Sequence, residues 1–250
     1  MKTTVITICW NSERTLARCA RSVLAQSTQP AEHIIVDGGS TDGTLRVLEA
    51  LAPEYAAAEV PLRVLAQERR PGEAGIPSAW NQGLAAAQGE VIALLNSDDW
   101  YEPSTLTSVE DAFARAPSEL GMVVAPVNLV RDQDGSVEKT LYPKCLWLVE
   151  ILMPVPHPGC FVRRDVYFSQ VGLFDCRYRI AADYDFIWRC WKAGVQMAYL
   201  PDPLVNMEIG GLANRSRSLA RRETLTIARR HSHFPAPAWI AWGVRALVGR

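Results

Sequence analysis

Val91-Ile92-Ala93-Leu94-Leu95-Asn96-Ser97-Asp98-Asp99-Trp100 passes from an unbroken apolar run into a polar turn within one residue. Five apolar residues in a row, preceded by Gly89-Glu90, read as a strand buried on both faces, the kind found in parallel sheets. The surrounding pattern agrees. Thr4-Val5-Ile6-Thr7-Ile8-Cys9, His33-Ile34-Ile35-Val36, Leu62 to Leu65 and Met122 to Val127 are further short runs of strand type. Helical patterns separate them. Leu16, Cys19, Ala20, Val23 and Leu24 follow an Asn11-Ser12 start signal, and Leu45, Leu48 and Leu51 mark a second helix. Ser78 to Ala87 is a third, stopped by Gly89, and Pro103 to Ala116 a fourth. Strands alternating with helices predict the α/β class: a mostly parallel sheet flanked by helices on both faces.

The second half is less regular. Asp134-Gly135 predicts a hairpin turn, Asp183 to Ala193 a helix ended by Gly194, Met197 to Leu200 a strand, and Ser218 to His231 a basic helix. The 250 residues suffice for one large α/β domain or two small ones, and 48% apolar with 21% charged residues is the composition of a folded protein. The formal net charge of −1 points to no polyanionic partner, so no nucleic acid is expected. That charge is unevenly spread: residues 215–250 hold eight arginines against one acid, Glu223, making the tail +7 on a body of −8. Such a tail suits either a solvated helix or contact with an anionic surface. The six cysteines (9, 19, 145, 160, 176 and 190) show no Cys-x-x-Cys spacing, which argues against zinc. Cys9, Cys19 and Cys190 fall within strand or helix patterns and read as small buried groups of a reducing compartment. The chain opens directly on a strand pattern, with no leader-like segment and no apolar run of spanning length. The expected location is cytoplasmic, or peripheral on the inner face of a membrane.

Ligands of open α/β sheets bind beyond the carboxyl ends of the strands. Thr7 and Asn11 bracket one such end, Asp37 stands at a second, and Asn96-Ser97-Asp98-Asp99 at a third. Adjacent carboxylates repel, and a cation relieves the repulsion. Mg²⁺ and Mn²⁺ take oxygen ligands and are commonly shared with substrate phosphates, so Asp98-Asp99 suits a metal–diphosphate site. The plainer alternative is capping of the next helix. Gly38-Gly39 is no dinucleotide fingerprint, because that motif follows the first strand, where Cys9-Trp10-Asn11 stands instead. A phosphate-binding Gly-x-x-x-x-Gly-Lys loop is also lacking. His157, before Pro158-Gly159, reads as structural or functional, and Asp183 and Asp185 open a helix, where capping alone accounts for an acid.

Taken in order, the motifs resemble the family 2 glycosyltransferases. They are Thr7 to Glu13, Ser22 to Gln26, Ile34 to Thr44, Gly75-Ile76, Ala79-Trp80-Asn81-Gln82-Gly83, and Gly89 to Ile92 leading into Leu95 to Tyr101. His157, Phe161 to Arg164, Gly172-x-Phe174-Asp175 and Ala182 to Phe186 continue the set, which spans about residues 3–200. The resemblance implies a GT-A (nucleotide-diphospho-sugar transferase) fold and an inverting transfer. It implies a GT-A domain over residues 1–214, with a nucleotide-sugar-binding half at 1–128 and an acceptor half at 129–214. Residues 215–250 form a basic helical tail.

The resemblance further implies Asp99 as the ligand of Mg²⁺ or Mn²⁺ and Asp98 as a contact to the donor. Thr7, Asn11, Glu13, Asp37, Glu73 and Asn81 join the donor side, His157 and Asp185 the acceptor side, and Asp183 stands at the general base. The donor expected is a UDP-, dTDP- or GDP-sugar, and the acceptor a glycan or lipid-linked hydroxyl of bacterial surface polysaccharide or glycolipid synthesis. Gly38, Glu73, Ser78 and Ala182 depart from residues common in the family, and the Gln-x-x-Arg-Trp motif of processive synthases is missing, which implies one sugar per event. A lipid-linked acceptor gives the tail a role: Arg215 to Arg230 with Trp239, Trp242 and Leu247 suit an interfacial segment. Two other classes compete. A nucleotide-sugar-binding scaffold without turnover would have no need of Asp98-Asp99 and Asp183, and a sugar nucleotidyltransferase needs a basic glycine-rich loop after the first strand, which this chain lacks.

Overall fold

A computed structural model describes all residues except 69, 74, 151, 211–215 and 233–250, and describes only the backbone of Arg217. Four strands, β1 (Thr3–Cys9), β2 (Glu32–Asp37), β3 (Leu62–Ala66) and β4 (Val91–Asn96), lie parallel in the spatial order β4-β1-β2-β3. The helices α1 (Leu16–Leu24), α2 (Thr44–Ala57) and α3 (Gly75–Ala86) connect them. Alternate residues of one strand feed two separate cores. Ile6, Ile92 and Leu94 join Trp80 and Leu84 of α3 on one face, while Val5, Val91, Ala93 and Leu95 join Cys19 and Val23 of α1 on the other. This two-sided burial explains the unbroken apolar run 91–95, its Val, Ile and Leu side chains contributing about 1.5–3 kcal/mol each.

Beyond β4 come β5 (Trp100–Tyr101), α4 (Thr105–Arg115), β6 (Leu120–Val124), β7 (Val127–Val130) and β8 (Val137–Leu141). β9 (Cys160–Arg163), α5 (Ala182–Lys192), β10 (Gln196–Tyr199), β11 (Val205–Glu208) and α6 (Arg217–His231) complete the order. The large sheet runs β10-β6-β9-β4-β1-β2-β3, and a small sheet runs β5-β11-β7-β8. The single strand expected over Met122 to Val127 is two strands in two sheets. Pro126 has no N–H for a ladder, and at Ala125-Pro126 the chain leaves the large sheet for the small one. The hairpin at Asp134-Gly135 joins β7 to β8, with Gly135 at φ +69°.

β9 is antiparallel to both β4 and β6, so the large sheet is parallel with one reversed strand. The reversal sends the start of β9, and the 3₁₀ turn His157–Gly159 before it, to the edge where β4 and β6 end. The turn fits there because residue 159 is glycine. A Cβ would lie 2.2 Å from the carbonyl oxygen of Ala125.

The described part of the basic tail packs on the domain. In α6, Ile227 is fully buried in the core that also holds Trp188 and Cys190 of α5, and Ala228 is 1% exposed. Arg215, Trp239, Trp242, Arg245, Leu247 and Arg250 lie outside the described residues. Among the described residues no helix is long and apolar enough to cross a membrane.

Candidate functional site

Strand register brings the polar strand ends together. Ile8 pairs with Asn96 and Cys9 with Asp37, so Asp37 and Asn96 flank the end of β1, roughly 10 Å apart across two strand spacings. The three loops that follow are tied side to side. Asn11 accepts the Thr41 amide on Oδ1 (2.8 Å) and gives its own amide to Ser40 Oγ (2.9 Å). Its φ of +52° is left-handed, a conformation Asn tolerates better than most residues. Glu13 accepts the Gly43 amide on Oε2 (2.6 Å), and Ser12 Oγ lies 2.8 Å from Ser97 Oγ. Asp37 takes the amides of Gly39 and Ser40 on Oδ2 and the Ser40 hydroxyl on Oδ1. Gly38 is tightly placed: a Cβ would sit 3.3 Å from the Cys9 carbonyl and the Trp10 Cβ, so a larger residue requires its neighbours to give by a few tenths of an ångström.

Thr7 is not at the crevice. Its hydroxyl is fully buried and donates to Nε2 of His33 (2.8 Å), whose Nδ1–H donates to the Tyr55 hydroxyl (2.5 Å), which donates to the Ala20 carbonyl (3.0 Å). Because the Tyr55 proton goes to a carbonyl, this order fixes the His33 tautomer. Burial holds the ring neutral, with its pKa lowered to about 3. Asn81 is likewise committed elsewhere: Nδ2 donates to the Phe174 carbonyl and Oδ1 accepts the Phe174 amide, both at 2.9 Å. Glu73, at the rim, accepts the Ser78 hydroxyl at 3.2 Å.

The Asp98-Asp99 turn carries the strongest electrostatic tension. Asp99 is 1% exposed. Its Oδ2 accepts from Asn96 Nδ2 (3.2 Å), and buried Oδ1 has no partner among the described residues. Burial, followed by the charge of Asp98, pushes the carboxyl well above its usual range. Asp98 is part-exposed, and burial and the nearby Glu208 raise its pKa too. Sequence reasoning missed three neighbours. Arg18 stacks 3.9 Å over the Trp100 ring and donates to the Asp98 carbonyl (2.9 Å) and to Glu208 Oε2 (2.6 Å). Arg14 bridges Glu208 and Asp132. The i,i+4 spacing of Arg14 and Arg18 after the first strand was a usable signal; Glu208 had none.

A buried, unpartnered carboxylate oxygen beside a second carboxylate fits a divalent cation. Among the described residues no group of three or more His, Cys, Asp or Glu side chains is arranged to hold a metal, so a cation here would complete its shell from phosphate and water.

On the same edge, His157 is 9% exposed, with its ring 4.8 Å from that of Trp80 and 5.9 Å from that of Phe174. Asp183, in the first turn of α5, is part-exposed and accepts the Tyr184 amide at 2.7 Å. Burial raises the Asp183 pKa and lowers that of His157, and the charge of each group works against the other's shift. Asp185 is set apart from them. Two residues on, it points about 200° around the helix, where it is 1% exposed and bonded to Arg189 Nε (2.8 Å) and His231 Nε2 (2.8 Å).

The family model Glycosyl transferase family 2 matches residues 4–172. An uncharacterized glycosyltransferase of Nostoc sp. is 31% identical over 193 residues, 73% of this chain and 57% of its own. A PGL/p-HBAD biosynthesis glycosyltransferase of Mycobacterium bovis is 28% identical over 211 residues, 82% of this chain and 76% of its own. The chain thus spans little more than half of the first relative's length. The crystal structure of S. aureus TarS 1-349 with UDP-GlcNAc superposes with a TM-score of 0.69 at 20% identity, covering 94% of this chain and 69% of that one. That likeness shows the GT-A fold. Since the family model spans the strands and loops that build this crevice, the protein belongs to glycosyl transferase family 2.

Proposed function

We propose that the protein moves a single sugar from a nucleoside-diphosphate sugar to a hydroxyl acceptor, inverting the anomeric centre. The observation that carries the reading is the shared end of β1, β2 and β4, where loops tied through Asn11, Ser12, Thr41 and Ser97 surround a buried, unpartnered oxygen of Asp99. The proton chemistry goes to Asp183, in the first turn of α5, whose carboxyl is raised by burial. A carboxylate held high by burial takes the acceptor proton as the new bond forms at the anomeric carbon. Attack opposite the leaving diphosphate inverts that carbon. Asp99 and Asp98 would hold Mg²⁺ or Mn²⁺; the cation offsets charge developing on the diphosphate. The part-exposed Asp98 would contact the donor, and Asp99 would offer the cation its buried, unpartnered oxygen. Asn11, Glu13 and Asp37 shape the nucleotide side through the loops they tie, and 63%-exposed Trp10 offers an aromatic face for a base. Residues 1–128 form the donor half and 129–214 the acceptor half.

The relatives support a glycolipid or surface-glycan acceptor, and a protein working on the inner face of a membrane suits it. A thermal-shift screen of UDP-, dTDP- and GDP-sugars with and without Mn²⁺ tests the reading, since a ligand bound at 100 times its Kd stabilises by about 2.7 kcal/mol. The expected result is a Mn²⁺-dependent shift for one donor, accompanied by slow nucleoside diphosphate release. No shift with any nucleotide sugar overturns it.

A further inference from the structure

Glu223 is the one acid of the basic tail, and it faces inward. Its Oε1 accepts the amide of Arg179 (2.8 Å), and its Oε2 accepts those of Ile180 (2.8 Å) and Ala181 (2.9 Å). Three successive backbone donors from the segment leading into α5 therefore converge on one side chain of α6. The Ala181 N–H belongs to the helix start, where such groups have no intrahelical partner, and Arg179 and Ile180 lie just before it. The local sequence does not meet this need: Ala181 stands at the N-cap, where no side chain caps the helix. Asp183 lies two residues past the last of the three amides.

The contact belongs to a continuous face. Residues 223, 227, 230 and 231 follow helical spacing along one side of α6. Ile227 is buried in the core beside α5, Arg230 Nη1 bonds Asp175 Oδ2 (3.0 Å), and the His231 ring stacks on Trp188 with centroids 5.7 Å apart. The α6 helix thus holds both the lead-in to α5 and the far side of that helix. Both helices lie beyond residues 4–172, the span of the family model.

Resting on the proposed role of Asp183, we infer that Glu223 is a positioning residue for the transfer. By fixing residues 179–181, it sets where α5 begins and so how the Asp183 carboxylate meets the acceptor hydroxyl. It touches no reacting atom. A charged carboxylate accepting three amides forms stronger bonds than a neutral acceptor would. Gln at 223 keeps one acceptor oxygen and turns an NH₂ toward the remaining donors.

Amide hydrogen exchange of the full chain tests the hold without a substrate. Glu223→Ala should speed exchange across residues 179–186 at least tenfold, Glu223→Gln by less, and Arg222→Ala, an exposed neighbour on the same helix, not at all. Turnover tests the consequence, with the nucleotide sugar that gives the largest Mn²⁺-dependent thermal shift as donor, water as acceptor, and nucleoside diphosphate release as signal. Glu223→Ala should lower kcat about tenfold with donor KM within twofold of wild type, and should cost nothing further in an Asp183→Asn background. Unchanged exchange at 179–186, wild-type kcat, or an equal extra loss on top of Asp183→Asn overturns the inference. Full activity of Asp183→Asn itself would instead remove the role of Asp183 on which the inference rests.

Discussion

His231 Nε2 lies 2.8 Å from Asp185 Oδ1, joining the last described helix to the helix that presents Asp183. Asp185 has a second partner, Arg189, and is 1% exposed, so this carboxylate is a structural anchor. Asp185→Ala leaves Arg189 without its carboxylate partner and His231 without an acceptor. A loss of about 3 kcal/mol is expected, measured by chemical denaturation. Asp185→Ala with wild-type stability contradicts the anchor role.

Asp183→Asn keeps the shape of the side chain and removes its basicity. Donor binding should persist, and kcat should fall by at least ~10²-fold, the usual scale for a general base. Because the Asp183 pKa is raised, by burial above all, the wild-type rate should climb with pH through a value above the ordinary Asp range of 3.8. A rate that is flat down to pH 4 rules out this carboxyl as the base.

Asp99→Asn probes the cation. It removes a charge that is buried beside Asp98 and leaves one oxygen unpartnered, so the metal-free variant should melt no lower than the wild type. The Mn²⁺-dependent rise in melting temperature should vanish together with turnover. Turnover by wild-type protein in excess EDTA contradicts the metal assignment.

His33 predicts an acid-side instability unrelated to catalysis. Its pKa is about 3 in the folded chain against an ordinary 6.5, so the unfolded chain binds the proton first as pH falls. The stabilisation from keeping the ring neutral is complete above pH 6.5 and is lost progressively from there toward pH 3, by about 1.4 kcal/mol per pH unit. Denaturation midpoints at pH 7, 6 and 5 check it, and His33→Gln should flatten the dependence.

Gly159→Ala tests the turn that carries His157. The added methyl meets the Ala125 carbonyl at 2.2 Å and Val127 Cγ2 at 3.0 Å. A loss of about 2 kcal/mol or more is expected from the forced backbone shift, with turnover falling more than donor affinity. Equal stability of the variant and the wild type contradicts the close approach.

The parallel half of the fold was legible because its signals are local. Apolar runs mark β1, β2 and β4, and helical spacing with glycine stops marks the helices between them. Boundaries shifted by one to three residues: α3 begins at Gly75 rather than Ser78, and α4 at Thr105 rather than Pro103. The reversed β9 and the two-residue β5 carry no pattern of their own, being specified by the neighbours they pair with. At the site, Asp37 and Asp98-Asp99 stand at strand ends, with the loops after β1, β2 and β4 tied around them. Thr7 turns its hydroxyl into the core, where sequence does not show that His33 waits, and Asn81, expected on the donor side by resemblance and lying within α3, is bonded to the Phe174 backbone. Glu208 and Glu223 were invisible for the converse reason: their partners are distant in the chain. The basic composition of the tail concealed that its single acid was the residue making the contact.

The reversed direction of β9 also decides which connection ends at the sheet edge. The connection from β8, in the small sheet, returns to the His157–Gly159 turn at the end of β4, and on the way its 3₁₀ turn Leu146–Glu150 is held to α5, where the Val149 carbonyl accepts the Tyr184 hydroxyl. Doubling the length of such a connection costs only about 0.6 kcal/mol in closure entropy and leaves every strand register untouched. Insertions on either side of the buried Val149 and Val155 would leave the loops after β1, β2 and β4 with their mutual hydrogen bonds. On the proposed reading, a changed length in this connection alters the acceptor side and leaves the tied loops of the donor side in place.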